Sequence, residues 1–278
     1  MESKIVIFEA NKEDGLFSIG KKFYPKGTLK KERENSFYQA RLKLGEKLGI
    51  DGNHIFKANQ KGEYKPDVDH KDGAYIVLNK NHMKKKDFYR KVLPADILII
   101  SEKYPGIAVA NPSADCPVII CEDRKKGYTG LSHCGGKYIN RYLPRDTIKA
   151  LIDCGSNVED IYVYIGSCIK KESYTYDRRP LWATNTSVWK GHIEKKEKNY
   201  YIDLVGAIKN QLEKMKITHI EESPIDVAKD SHYFSNHEAA AGMKDKAGQN
   251  LIGFYYKYWY CVKKAIKKEV PKLLFIFH

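Results

Sequence analysis

The chain has 278 residues, of which 42% are hydrophobic and 30% charged, a balance that excludes a disordered or fibrous protein and suffices to bury a core without disulfides. Lys and Arg number 49 against 35 Asp and Glu, a net charge of +14, which favours anionic partners. The basic residues fall in short scattered runs, such as Lys84-Lys85-Lys86 and Lys263-Lys264, without RGG, RNP or zinc-finger patterning, so nucleic acid is not expected.

The start, MESKIVIFEANKED, lacks a basic segment followed by a long apolar run. No stretch approaches the roughly 18 apolar residues that span a bilayer. The six cysteines suit free thiols in a reducing compartment, so a cytoplasmic protein without a membrane segment is expected.

KIVIFEA reads as a first strand. In ENSFYQARLKLGEKLGI, Phe37, Ala40, Leu44 and Leu48 recur at helical spacing, with Gly49 as the C-terminal cap. From residue 55 short β-rich runs follow, IFKANQ, GAYIVLN, ADILIIS, GIAVANP, VIICED and GYTGLSH, separated by Gly, Pro, Asp and Lys. RDTIKALIDCG predicts a helix with Ile148, Leu151 and Ile152 on one face, and IYVYIGS a buried strand. YIDLVGAIKNQLEKMKI carries Leu204, Ile208, Leu212 and Met215 on one helical face, with Asp203 as N-cap. The tail from LIGFYY opens as a strand; its last residues stay unassigned, because their apolar positions fit either period. Helices separated by runs of several strands predict an α/β (α+β) fold, with layered mixed sheets flanked by helices, in a single domain over 1–278.

Two cysteine and histidine stations stand close in sequence: Cys116 in SADCPVIICED and His133 in GLSHCGGKY. Thiolate and imidazole are the ligands zinc prefers. A third ligand has to come from upstream, where His70 in DVDHKDG is the first candidate and His82 and His54 are reserves. Three protein ligands leave one tetrahedral position for water or substrate, as in catalytic zinc. A Cys116–His133 nucleophile pair without metal is the other chemistry these residues allow. DVDHKDG fails as a calcium loop, since Lys71 stands at position five and Leu78 at position twelve. No P-C-x-x-C, phosphate-binding glycine loop, H-E-x-x-H or G-x-S-x-G occurs.

Three stations taken in order, VDHKD, ADCPV and HCGGK, resemble the Q-V-H-G, A-D-C-x-P and H-A-G-W-R-G pattern of the YfiH-like, or multicopper polyphenol oxidase (laccase-domain), family. ARLKLGEKLGI is similar to its N-R-x-x-L-x-x-x-L-G helix, ADILIISEKYPGIAVANPSADC to its D-A-L-V-T…A-D-C run, YIDLVGAIKNQL to its Y-L-D-L helix, and HYFSNH…AGQNLIGF to F-F-S-Y-R-R…T-G-R. The resemblance runs from about residue 35 to 256.

This resemblance implies a fold similar to the cytotoxic necrotizing factor catalytic domain, with zinc held by His70, Cys116 and His133. It implies a purine nucleoside phosphorylase acting on adenosine or inosine with phosphate, with adenosine deamination and methylthioadenosine cleavage as related activities. Cys116 and His133 would be catalytic; Arg41, matching the N-R helix, and Lys137 would bind substrate. The alternatives are a metal-free Cys-His hydrolase or deamidase and a basic binding protein. Copper oxidase chemistry is not expected, because the nine histidines form no H-x-H cluster. The chain departs from the pattern at Gly136-Lys137, where Trp-Arg stands in the family, at Asn236-His237 in place of Arg-Arg, and before His70, where an insertion is needed.

Overall fold

An unbroken apolar strand such as ADILIIS needs cover on both faces, and the fold supplies it with two stacked sheets and helices outside. The structure, a computed structural model, describes residues 2–18, 21–58, 75–78, 92–93, 95–243 and 247–257. The first half carries β1 (Ile5–Ala10), α1 (Lys30–Leu48), β2 (Ile55–Ala58), β3 (Tyr75–Val77), β4 (Val92–Leu93), β5 (Ile97–Ser101), β6 (Ala108–Ser113), β7 (Val118–Asp123) and β8 (Tyr128–His133). Then come α2 (Gly136–Ile139), α3 (Leu143–Asp153), β9 (Ile161–Ile165), β10 (Thr175–Tyr176), α4 (Thr186–Trp189), β11 (Ile193–Lys196) and β12 (Asn199–Ile202). The described chain closes with α5 (Leu204–Lys214), β13 (His219–Glu222), α6 (Asn236–Ala240) and β14 (Asn250–Tyr256).

One mixed sheet has the order β1-β14-β6-β2-β4 and a second β13-β9-β7-β8-β5-β3; a small sheet β10-β12-β11 stands apart. Side-chain alternation sorts each strand between two cores. Ile97 and Ile99 of β5 and Ile119 and Cys121 of β7 face Ile148 and Leu151 of α3 and Ile208 and Leu212 of α5. Leu98, Ile100 and Ile120 face the other way, onto Val109, Ile252 and Phe254 of the first sheet. That sheet's outer face, Phe8, Ala108, Ala110 and Leu251, takes Phe37, Ala40 and Leu44 of α1. The order is therefore helix, sheet, sheet, helices: the expected layered mixed sheets flanked by helices.

Local signals hold where a side chain does the work. Asp203 caps α5 by accepting from the Gly206 N–H at 2.7 Å. Gly49 closes α1 at φ 67°, a left-handed conformation that favours glycine. Helix α1 starts at Lys30, ahead of the apolar pattern, because Lys30, Lys31, Glu32 and Arg33 are good helix formers that leave no periodicity to read. The β11–β12 hairpin escapes the sequence reading for the same reason: IEKK and NYYI are largely polar and half exposed.

Candidate functional site

The turn from β6 to β7 presents Cys116, and the end of the neighbouring strand β8 presents His133. Val118 pairs with His133 across the β7–β8 ladder, and the Cys134 N–H donates to the Pro117 carbonyl at 2.7 Å, so backbone hydrogen bonds fix the two stations to each other. The turn is braced from within by the Ser113 hydroxyl, which donates to the Cys116 carbonyl at 2.5 Å. It is braced from outside by α6: the Asp115 carboxylate accepts from the Ser235 hydroxyl at 2.6 Å and from the Asn236 and His237 N–H groups at 3.0 Å. Burial pushes the Asp115 carboxyl up, and these hydrogen bonds pull it back.

Gly135 shows how the pair is aimed. A Cβ built on it would lie 3.1 Å from the Cys116 Sγ and 3.7 Å from the His133 Nε2, so both donor atoms converge on the space a side chain would fill. The His133 Nδ1 lies 3.0 Å from the Pro112 carbonyl, which can only accept. Nδ1 therefore carries the proton and the lone pair sits on Nε2, the nitrogen on the Gly135 side. Burial lowers His133 to about 4, keeping the imidazole neutral. Burial, with the Asp115 charge behind it, pushes the Cys116 thiol up to about 12, while a hydrogen bond from the Gly136 N–H works in the opposite direction.

Tyr174, Tyr176 and His237 form an aromatic cluster beside the Asp115–Cys116 turn, and all three escaped the sequence reading as site residues. The Tyr176 hydroxyl donates to that of Tyr174 at 2.8 Å, and the His237 ring packs edge-on to both, with centroids at 5.2 and 5.5 Å. Burial raises both phenols, and the charges of Cys116 and Asp115 raise them further, which places them within electrostatic reach of the thiol. A fourth group is Asp96, one residue before Ile97, which pairs with Ser132 next to His133. It is 9% exposed, its Oδ1 has no hydrogen-bond partner, and burial raises it to about 6. The β-spaced pair Tyr174 and Tyr176, and the place of His237 in the family pattern, were the readable signals for these groups.

The other sequence candidates separate. Lys137 is exposed in α2, next to Gly136. Arg41 is 2% exposed, its Nη2 donates to the Gly52 carbonyl at 3.0 Å, and its Nε has no partner. Gly52 precedes β2, whose Ile55 pairs with Ala108 at the start of β6, whereas the Cys116 turn follows Ser113 at its end. Five residues of strand, about 16 Å, lie between, so the structure does not bring Arg41 to the pair. His54 sits at that same distant end, 3.8 Å from Asp51. His70 and His82 lie outside the described residues, and among the described residues no three His, Cys, Asp or Glu side chains are grouped to hold a metal ion.

A profile of the multi-copper polyphenol oxidoreductase laccase family matches residues 33–250. The chain belongs to this family. It is similar to a purine nucleoside phosphorylase of Deinococcus radiodurans, 26% identical over 112 residues covering 39% of this chain and 43% of that protein. It is also similar to the purine nucleoside phosphorylase YlmD of Bacillus subtilis, 29% identical over 97 residues and 34% of each chain. The matched stretches thus span less than half of these relatives. Two crystal structures share the fold at 20% identity. YfiH of Bacillus licheniformis has a TM-score of 0.69, with 91% of this chain and 93% of that one covered. YlmD of Geobacillus stearothermophilus has a TM-score of 0.70, with 92% and 93% covered. Among the described residues no helix is long and apolar enough to cross a membrane.

Proposed function

We propose that this family member is a zinc-dependent purine nucleoside phosphorylase whose metal is held by Cys116, His133 and His70. The observation that carries this reading is the convergence of the Cys116 Sγ and the His133 Nε2 beside Gly135, with the imidazole neutral and its Nδ1 fixed by Pro112. One sulfur, one neutral ring nitrogen and a second-shell carbonyl are a donor set that suits zinc. His70 supplies the third ligand in this reading. The names of the two relatives support the substrate class, purine nucleosides and phosphate.

In phosphorolysis an oxygen of inorganic phosphate bonds to the sugar carbon that bears the base, and the carbon–nitrogen bond to the base breaks, leaving a sugar 1-phosphate and a protonated base. Zinc, when bound, supplies a Lewis acid at this place. Lys137, exposed beside Gly136, offers a point charge to phosphate; it lacks the two-pronged grip of the arginine in the family pattern. The Tyr176 hydroxyl and the His237 ring offer hydrogen-bonding groups for the departing base. Adenosine deamination and methylthioadenosine cleavage belong to the same proposed site.

The protonation states weigh against a metal-free nucleophile. A Cys-His hydrolase needs a thiolate beside an imidazolium, whereas here burial favours thiol and neutral imidazole together. Metal binding removes the thiol proton instead.

The test is turnover. Purified protein loaded with zinc and given phosphate should convert adenosine or inosine to free base and sugar 1-phosphate, and no free base from a zinc-loaded sample would refute the reading.

A further inference from the structure

Tyr174 and Tyr176 stand two apart in an extended segment, so alternation sends both rings to one face. Backbone pairing holds that segment: Tyr176 lies opposite Tyr200 across the β10–β12 ladder, and the Ile202 N–H donates to the Tyr174 carbonyl at 3.0 Å. The two phenol rings meet edge-on at 5.1 Å. The His237 ring packs against both, and the His237 N–H is held by the carboxylate of Asp115, the chain neighbour of Cys116. The two hydroxyls are thus fixed by the fold beside the Cys116 turn.

The hydroxyls also have an order. The Tyr176 hydroxyl donates to that of Tyr174 at 2.8 Å. Tyr174 is 8% exposed, and among the described residues nothing accepts its own proton. A hydroxyl that has accepted one hydrogen bond becomes a stronger donor through its proton, and a buried donor without an acceptor costs free energy until a ligand supplies one. Tyr176, half-buried, has already given its proton to Tyr174, so its oxygen can only accept. Burial, the largest cause, raises both phenols, which keeps both protons in place at neutral pH. The pair therefore offers one donor and one acceptor, 2.8 Å apart.

We infer that Tyr174 and Tyr176 read the purine ring at this site and select a 6-aminopurine over a 6-oxopurine, with Tyr174 donating to ring N7 and Tyr176 accepting from the 6-amino group. Adenine presents an N7 acceptor and an amino donor side by side on one edge, whereas a 6-oxopurine presents two acceptors there. With adenine the hydrogen bonds run in one chain: amino group to Tyr176, Tyr176 to Tyr174, Tyr174 to N7. With hypoxanthine the Tyr176 proton has to turn to the 6-oxygen, and the bond between the two phenols is lost. The difference is one hydrogen bond, about fivefold in affinity. The inference rests on the purine nucleoside reading of this site and names which purine it takes.

The test is calorimetric titration of the zinc-loaded full chain with three bases methylated at N9, which fixes the nucleoside tautomer and leaves no sugar bond to cleave. 9-Methyladenine is expected to bind about fivefold more tightly than 9-methylhypoxanthine, which lacks the amino donor, and about fivefold more tightly than 9-methyl-7-deazaadenine, which lacks the N7 acceptor. Tyr176→Phe should bring 9-methyladenine and 9-methylhypoxanthine within twofold of each other. Tyr174→Phe should do the same for 9-methyladenine and its 7-deaza analogue. A merely structural role would weaken all three ligands together and leave their ratios unchanged. Equal binding of the adenine and hypoxanthine ligands by the parent chain, no binding of any of the three, or a folded Tyr176→Phe variant that keeps the full preference would each overturn the inference. The preference found in a chain that shows no phosphorolysis would uphold the inference and sink the phosphorylase reading; turnover of adenosine and inosine with equal base affinities would sink the inference alone.

Discussion

Gly135→Ala places a single methyl between the thiol and the imidazole. The Gly135 backbone, at φ −67° and ψ 160°, is one that any residue adopts, so alanine stabilises through the unfolded chain by about 0.4–1 kcal/mol. Against that, the new Cβ meets the Cys116 sulfur at 3.1 Å, which must give by a few tenths of an ångström. The net effect on folding is within about 1 kcal/mol, a few degrees of melting temperature. The effect on metal is larger. Zinc sits about 2.3 Å from a thiolate and about 2.0–2.1 Å from an imidazole nitrogen, and the methyl lies 3.1 Å from one donor and 3.7 Å from the other. Crowding both donors should weaken zinc by at least tenfold, about 1.4 kcal/mol. The assay is a zinc titration against a competing chelator, run with thermal melts on the parent and the variant. Unchanged zinc affinity with an unchanged melt would refute the claim that the two donors converge on a metal.

Plasma mass spectrometry should find about one zinc per chain purified without a histidine tag or added metal, and none in Cys116→Ala; zinc retained by that variant counts against the ligand set. Zinc affinity should rise about tenfold per pH unit between roughly pH 6.5 and 8.5, because the Cys116 proton must leave while His133 is already neutral; a flat profile would mean that no thiol is displaced. His133 falls from 6.5 to about 4 in the fold, so the native state binds fewer protons than the unfolded one. Its share of stability is complete above about pH 6.5 and is lost as pH falls toward 4, at most about 3 kcal/mol; His133→Gln should flatten that part of the stability profile. Asp96 runs the other way. Raised from 3.8 to about 6, it removes stability as pH rises through that window, so Asp96→Asn should raise the melting temperature by several degrees at pH 7.5 and by little at pH 4.

The layered fold was legible because burial on both faces writes continuous apolar runs such as ILIIS, and because helix faces such as Leu204, Ile208 and Leu212 repeat at 3.6 residues. Cys116 and His133 were legible as a pair because two adjacent antiparallel strands bring stations seventeen residues apart to one strand end. What stayed hidden was set by distance along the chain. The Asp115 carboxylate that braces the turn meets Ser235, Asn236 and His237, about 120 residues away, and nothing in either segment announces the partner. Arg41 is the opposite case. A motif match proposed it as a substrate ligand, and its guanidinium is turned to Gly52 at the end of β6 away from Cys116, because helix α1 lies across the far face of the first sheet. Position 136 joins the two lessons. Read as a motif it is a lost tryptophan; read in space it is the gap that Trp182 fills. A chemistry that disappears from one place in a sequence is therefore to be sought in three dimensions before it is counted as lost, and beside Gly136 an indole ring is found there.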